Sequence, residues 1–295
     1  MNQNKTNVCF VAIIGRPNVG KSSLLNQILS YNLSIVTDTP QTTRDKITGV
    51  YTDEDSQIVF VDTPGIHKPL NKLGEQLNES AFDASKENDL VLFLSSADEE
   101  IGKGDELILE KIKSLKNKVA VVSKIDKIRK TPELLIQKIE KLKEWGFEQV
   151  VSTSVENYDS ITSLINLIKT YGKEDNYYFD PDFITDKTMR FLAKEIIRES
   201  AILNLHEELP HSIAVEVQEF LEDETHIEIN AVIYVKKHSQ KGMVIGAGGK
   251  MIKKIGQLAR KKIAAQFDTP IVLNLNVKEA KKWVDDEKQL KKFGY

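Results

Sequence analysis

The chain has 295 residues, 40% of them hydrophobic, with 41 Lys and Arg against 44 Asp and Glu for a formal charge of −3. That length supplies a sizeable core and predicts two domains, while the near-balanced charge excludes a uniformly basic or acidic chain. A single cysteine, Cys9, rules out an internal disulfide and fits a buried, inert thiol; a polar N-terminus without a signal-peptide layout, and no apolar run of bilayer length, predict a soluble cytoplasmic protein with no transmembrane segment.

The first predicted element is a strand over Val8–Ile14, an unbroken apolar run suited to burial on both faces. It leads into Gly15, Arg16, Pro17, Asn18, Val19, Gly20, Lys21 and Ser22, which fit the phosphate-loop pattern G-x-x-x-x-G-K-[ST], with Ser23 following. Leu24, Leu25 and Ile28 then recur at helical spacing. Strand, loop and helix are the context in which backbone N–H groups close around phosphate oxygens at a helix N-terminus. Lys21 would reach the β- and γ-phosphates, and the Ser22 hydroxyl would serve Mg²⁺. A strand followed by an ordinary glycine turn is the bland alternative.

A polar, hydroxyl-rich loop is expected over Asp38-Thr39-Pro40-Gln41-Thr42-Thr43-Arg44-Asp45. The next strand, Gln57–Val61, ends at Asp62-Thr63-Pro64-Gly65, placing a carboxylate at the C-terminal edge of a parallel sheet, where such folds bind ligands. Asp62 can hold Mg²⁺ through water, and the Gly65 N–H can meet a γ-phosphate. Ile66 follows, and its apolar side chain cannot orient a water molecule by hydrogen bonding, which predicts slow intrinsic turnover. Strands over Leu90–Leu94 and Val119–Val122 come next, the second ending in Ser123-Lys124-Ile125-Asp126. One carboxylate can accept both N1–H and N2–H₂ of guanine, a donor pair adenine lacks, and leaving buried polar groups unpaired is an effective means of rejection. The Lys124 stem could cover the ring. After a helix over 132–145, Gln149–Val151 runs into Ser152-Thr153-Ser154-Val155, a turn whose backbone N–H could bind guanine O6, and Leu164, Ile165 and Ile168 close the alternating β/α domain near residue 171.

These segments resemble, in order, the five sequence boxes of the translation-factor class of GTPases. Ser123 and Val155 depart from the usual Asn and Ala. Ser123 thereby lacks the amide that would meet guanine N7 and the phosphate loop, whereas Asp126 keeps the preference for guanine.

From 172 to 187 the composition reads as a linker with the exposed aromatics Tyr177, Tyr178 and Phe179. Beyond it the expected order is α-β-β-α-α-β: a helix over about 188–203, alternating strands over 212–220 and 226–235, a glycine turn, a basic helix and a strand over 271–277. Charge separates sharply here. Residues 207–228 hold eight acids and no Lys or Arg, whereas residues 236–262 hold nine Lys or Arg and no acid. The basic run contains Gly246-Ala247-Gly248-Gly249, and beyond it Ile255, Ala259 and Ile263 share one helical face while Lys253, Lys254 and Lys261 point elsewhere. A glycine turn admits a sugar-phosphate backbone, and flanking cations neutralise it. This is the logic of a KH module on single-stranded RNA; a solvated basic helix is the bland alternative.

From near its N-terminus to its end the chain resembles the Era family of bacterial ribosome-assembly GTPases. Further echoes are Pro40-Gln41-Thr42-Thr43-Arg44, Ile184-Thr185-Asp186, Met243-Val244-Ile245-Gly246 and the terminal Phe293-Gly294-Tyr295. The resemblance implies an α/β P-loop GTPase domain over 1–171, with a mostly parallel sheet covered on both faces, a linker over 172–187, and an α+β type II KH domain over 188–295. It implies GTP hydrolysis with Lys21, Thr43, Gly65 and Asn18 in catalytic positions and Ser22, Thr43 and Asp62 around Mg²⁺. Nucleotide contacts extend from Gly15 to Ser23 and include Asp62 to Ile66, Ser123 to Asp126, Ser154 and Val155. RNA contacts fall on Lys241, Ile245, Gly246, Ala247, Gly248, Gly249, Lys250, Lys253 and Lys254. The implied partners are 16S ribosomal RNA near its 3′ end and the 30S subunit during maturation, with weak peripheral contact to the cell membrane. Asn18 is similar to an Asn that helps hold a potassium ion against the phosphates in related GTPases. Two rival functions are an RNA-binding scaffold whose nucleotide domain no longer hydrolyses, and a P-loop kinase acting on a small molecule.

Overall fold

The computed structural model describes residues 6–37, 39, 42–69 and 71–295. The described residues divide into two compact units: one comprises 6–34, 43–69 and 74–186, the other 35–37, 39, 42, 71–73 and 187–295. The expected loop residues Asp38, Pro40 and Gln41 lie outside the described residues.

In the first unit, β1 (Thr6–Gly15) opens the sheet and its Val11, Ala12, Ile13 and Ile14 are wholly buried, as the unbroken apolar run requires. α1 (Lys21–Leu29) buries Leu24, Leu25 and Ile28. The elements that follow are β2 (Ile47–Thr52), β3 (Ser56–Asp62), α2 (Lys72–Glu87), β4 (Leu90–Ser96), α3 (Lys103–Ile112), β5 (Lys118–Ser123), α4 (Glu133–Glu144), β6 (Gln149–Ser152), α5 (Tyr158–Lys169) and β7 (Lys173–Asp175). The strands order as β2-β3-β1-β4-β5-β6, and β7 pairs with β1. β3, β1, β4, β5 and β6 are parallel, while β2 and β7 run antiparallel to their neighbours. The C-terminal ends of β1, β3 and β5 therefore bring the phosphate loop, Asp62 and Ser123 to one edge.

The stretch expected as a linker contributes structure of its own. β7 extends the sheet alongside β1. Gln57 Oε1 accepts from the N–H groups of Tyr178 and Phe179 at 2.9 and 3.1 Å. Of the three aromatics expected on the surface, Tyr178 is exposed and Tyr177 and Phe179 are half-buried. The Ile184-Thr185 echo is bound to β2: the Val50 N–H donates to Ile184 O at 2.7 Å and Thr185 Oγ1 donates to Thr48 O at 2.7 Å.

The second unit contains α6 (Met189–Ile202), α7 (Leu209–Ser212), β8 (Ala214–Glu222), β9 (Ile227–Val235), α8 (His238–Ile245), α9 (Lys250–Phe267), β10 (Ile271–Glu279) and α10 (Glu287–Phe293). The short α7 and the terminal α10 are additions to the expected α-β-β-α-α-β order. α6 starts where the Thr188 side chain accepts from the Phe191 N–H. The sheet orders β10-β9-β8, with β10 parallel and β8 antiparallel to β9. Its buried residues, among them Ile229, Ala231 and Ile233, share a core with Ile197 of α6 and with Ile255, Ala259 and Ile263 of α9. The C-terminal tripeptide closes this unit: Phe293 is buried, and its ring lies 4.9 Å from Tyr234 and edge-on to Trp283 at 5.6 Å.

Candidate functional site

Two glycines clamp the phosphate loop because neither position has room for a side chain. A Cβ on Gly15 would lie 2.5 Å from Leu94 O, and one on Gly65 would lie 2.7 Å from Pro17 N. Gly65 thus sets the Asp62-Thr63-Pro64-Gly65 segment directly against the loop. Gly20, at φ 97°, takes the left-handed turn that starts α1. Lys21 is buried, its ammonium donating to Gly15 O at 3.2 Å and Arg16 O at 2.9 Å. Burial pulls its pKa down to about 8, with the nearby Asp62 charge opposing the shift. The Arg16 guanidinium is committed elsewhere, 3.1 Å from Asp105 at the start of α3 and 3.2 Å from Glu99. Only the Arg16 backbone is thereby left to serve a phosphate.

The carboxylate of Asp62 is fully buried. Its Oδ2 accepts from Ser22 Oγ and from Ser34 Oγ, both at 2.9 Å, and Ser22 Oγ lies 2.9 Å from Thr43 Oγ1. Its Oδ1 is buried with no hydrogen-bond partner. Desolvation raises the Asp62 pKa, and the facing Lys21 is the main opposing influence. A buried carboxylate oxygen without a partner is rare. Beside two hydroxyls, it forms the all-oxygen donor set that Mg²⁺ prefers, so Ser22, Thr43 and Asp62 fit the ion. Ser34 was missed in the sequence because nothing in Tyr31-Asn32-Leu33-Ser34 marks it; the contact is visible only in three dimensions.

The remaining third-box residues are structural in their side chains. Thr63 Oγ1 donates to Ile13 O at 2.8 Å, and Ile66 is fully buried with its N–H on Gly15 O at 3.1 Å. Ile66 therefore packs into the core and offers nothing to a water molecule.

At the guanine end, Ser123 is buried and its hydroxyl donates to Val19 O at 2.5 Å. The serine thus keeps a bond to the phosphate loop that its lack of an amide put in question. Lys124, in the left-handed region at φ 57°, reaches back to Asn18 O. Asp126 Oδ1 accepts from Ser154 Oγ at 2.6 Å, and the Ile125 N–H donates to Thr153 O at 3.3 Å, so the segments after β5 and β6 hold each other. Within the fifth-box turn the N–H groups of Ser154 and Glu156 are taken by Ser160 Oγ and Ser154 Oγ, both at 3.2 Å; Val155 is exposed.

In the second unit the turn between α8 and α9 has Gly246, Gly248 and Gly249 at φ 73°, 57° and 76°. A Cβ on Gly246 would lie 2.7 Å from the Met251 Cβ. Ala247, Gly248, Lys250, Lys253 and Lys254 are exposed, Gly249, Lys241 and Ile245 half-buried. Beneath them Ile255, Ala259 and Ile263 anchor α9 in the core. Lys262 departs from the expected solvated run, since its ammonium donates to Glu199 at 2.7 Å. The remaining cations surround a turn whose backbone a phosphate chain can approach.

Residues 10–125 match a family described as 50S ribosome-binding GTPase, and residues 208–284 match the KH domain. The chain is 59% identical to GTPase Era of Mycoplasmopsis agalactiae, covering 98% of this chain and 99% of the relative. It is 51% identical to GTPase Era of Mycoplasmopsis pulmonis, covering 97% and 99%. Among solved structures, a point variant of Aquifex aeolicus Era bound to GDP·AlF₄⁻ is 34% identical with a TM-score of 0.94, covering 98% of this chain and 99% of that one. Era in complex with MgGDPNP and nucleotides 1506–1542 of 16S ribosomal RNA is 35% identical with a TM-score of 0.93 and the same coverage. Full-length identity at this level, together with the phosphate-loop and KH matches on one chain, places the protein in the Era family of GTPases.

Proposed function

We propose that this GTPase is a switch whose KH unit binds small-subunit ribosomal RNA near its 3′ end and assists 30S maturation. The observation that carries the proposal is the presence on one chain of an assembled guanine-nucleotide edge and an exposed left-handed glycine turn flanked by cations. The similarity of the whole chain to an Era structure in complex with a 16S RNA fragment supports the choice of RNA.

Phosphoryl transfer calls chiefly for positioning and charge neutralisation. We assign these tasks to the residues at the sheet edge. Lys21, poised on two loop carbonyls, moves onto the β- and γ-phosphates. The N–H groups of Asn18 to Ser22 cradle the same oxygens, while the Gly65 amide, held against Pro17, faces the γ-phosphate. Ser22, Thr43 and Asp62 hold Mg²⁺, which neutralises phosphate charge when bound. Asp126 accepts from guanine while Ser154 fixes its carboxylate, and Lys241, Lys250, Lys253 and Lys254 meet the RNA backbone around Gly246 to Gly249.

Neither Ile66 nor Arg16 is placed to assist hydrolysis, which favours a cation between the phosphates as the missing element. We assign that role to K⁺ at Asn18, whose amide oxygen suits a hard ion; part of the loop that would complete the shell lies outside the described residues. Turnover is then faster in potassium than in sodium at matched ionic strength, and Asn18→Ala removes the difference. Equal rates in the two salts for the parent protein reject this assignment.

No described helix is long and apolar enough to cross a membrane. We place the protein in the cytoplasm, with any membrane contact peripheral and through the basic surface. Flotation with anionic vesicles checks that contact. The main test is crosslinking to cellular RNA followed by sequencing, with GTP and GDP states compared. Enrichment near the 3′ end of 16S RNA is expected, whereas enrichment of large-subunit RNA, or of none, overturns the proposal.

A further inference from the structure

Of the two hydroxyls on Asp62 Oδ2, Ser22 belongs to the phosphate-loop pattern and Ser34 belongs to no motif. Ser34 is buried and comes from irregular chain between α1 and β2. At Leu33 and Ser34 that chain is held by the Asn26 side chain. Asn26 Oδ1 accepts from the N–H groups of Leu33 and Ser34 at 3.0 and 2.9 Å, and its Nδ2 donates to Ser34 O at 2.7 Å. Asn26 lies on α1 one turn beyond Ser22, so the helix that presents Ser22 to Asp62 also carries the clamp that presents Ser34. Leu33 is buried beside it, its side chain 3.0 Å from where a Cβ on Gly49 of β2 would stand.

Two tethers on its own backbone and one on its neighbour Leu33 are a large commitment for a loop residue whose side chain ends on a carboxylate. With both hydroxyls on Oδ2, turning the carboxylate would break two hydrogen bonds, and Oδ1 is left buried and unpartnered. We infer that Ser34, aimed by the Asn26 clamp, is a positioning residue for the magnesium carboxylate, holding Oδ2 so that Oδ1 is presented to the ion. The inference rests on the assignment of Asp62 to Mg²⁺. It makes Asn26 and Ser34 a mechanical link between the phosphate-loop helix and the root of the Thr43 segment.

The test is the dissociation rate of a fluorescent GDP analogue from the full chain, measured against free Mg²⁺. Ser34→Ala is expected to raise the Mg²⁺ concentration for half-maximal retention by about tenfold, the size of losing one hydrogen bond to a charged oxygen. It leaves the dissociation rate in excess EDTA unchanged, which a general loosening of the loop would not. Asn26→Ala, which frees the segment without touching Asp62, shifts the Mg²⁺ midpoint in the same direction, and Ser34→Thr, retaining the hydroxyl, returns it towards the parent value. A midpoint within about twofold of the parent for both alanine variants, below the effect of one such bond, overturns the inference. Asp62→Ala separates the two layers: Ser22 and Thr43 remain, so the Mg²⁺ midpoint should rise further than in either alanine variant. A midpoint unchanged from the parent overturns the magnesium assignment of Asp62 and the inference with it.

Discussion

The two glycine turns of this protein handle phosphate in opposite ways. In the phosphate loop the cation is buried, satisfied by two carbonyls and held at a pKa of about 8, and Gly15 lies where Leu94 of β4 presses close. In the KH turn Lys250, Lys253 and Lys254 stand in water, and Gly248 and Gly249 serve a left-handed backbone with open space where a side chain would stand. The difference follows from the ligand. A nucleotide brings one compact cluster of charge to a fixed point, so pre-placed, desolvated groups are effective. An RNA strand brings a row of charges with many conformations, for which exposed, screened cations are adequate and salt-sensitive.

The largest expected effect comes from Lys21→Ala. Single-turnover hydrolysis should fall by about a hundredfold or more, while the melting temperature of the nucleotide-free protein moves by no more than about 5 °C, because burying that ammonium is itself unfavourable. Unchanged hydrolysis would break the comparison at its first term. On the other side, Ala247→Asp combined with Gly248→Asp should weaken RNA binding by about a hundredfold while sparing GTPase activity, since two carboxylates repel the approaching phosphates. Asp tolerates the left-handed conformation at position 248, so filter binding on folded protein reads the charge effect.

Salt sharpens the contrast without mutation. For a clamp of about four nucleotides, raising salt from about 50 to about 200 mM should cost about fiftyfold in RNA affinity. GDP affinity, measured in parallel at constant potassium and Mg²⁺, should change far less. Similar slopes for the two ligands would mean that the phosphate loop is as solvated as the KH turn. The smallest expected effect is that of Ser123→Asn. Because Ser123 already bonds Val19 O, only the guanine contact remains to be gained, and GDP should bind about fivefold more tightly, or about 1 kcal/mol. Weaker binding by calorimetry would show that the loop has adapted to serine.

How far the sequence could be read depended on whether a function required neighbours along the chain. The stretch Gly15 to Ser22 is legible because its backbone must turn, donate and enter a helix within one short segment. Gly246 to Gly249 carries less information by itself and becomes legible through the cations and the helical stripe of Ile255, Ala259 and Ile263. Lys262 shows the limit: in the sequence it belongs to the basic run, and in the fold Glu199 removes it from the free cations. Arg16 is similar, with its guanidinium withdrawn from the phosphate loop by Asp105 and Glu99.

By itself the sequence determined the order of the nucleotide boxes, the alternation of strands and helices, and the two glycine turns, because each is a local requirement of backbone geometry or of burial periodicity. Tertiary structure alone decided that Ser34 joins Ser22 on the Asp62 carboxylate. Ser22, Ser34 and Asp62 come from α1, from the irregular chain between α1 and β2, and from the end of β3. Segments so placed meet only because the parallel pairing of β1 with β3 brings their C-terminal ends together. Hydrogen bonds between such segments leave no spacing rule in the chain, since their geometry is set by the sheet and not by the number of residues between them.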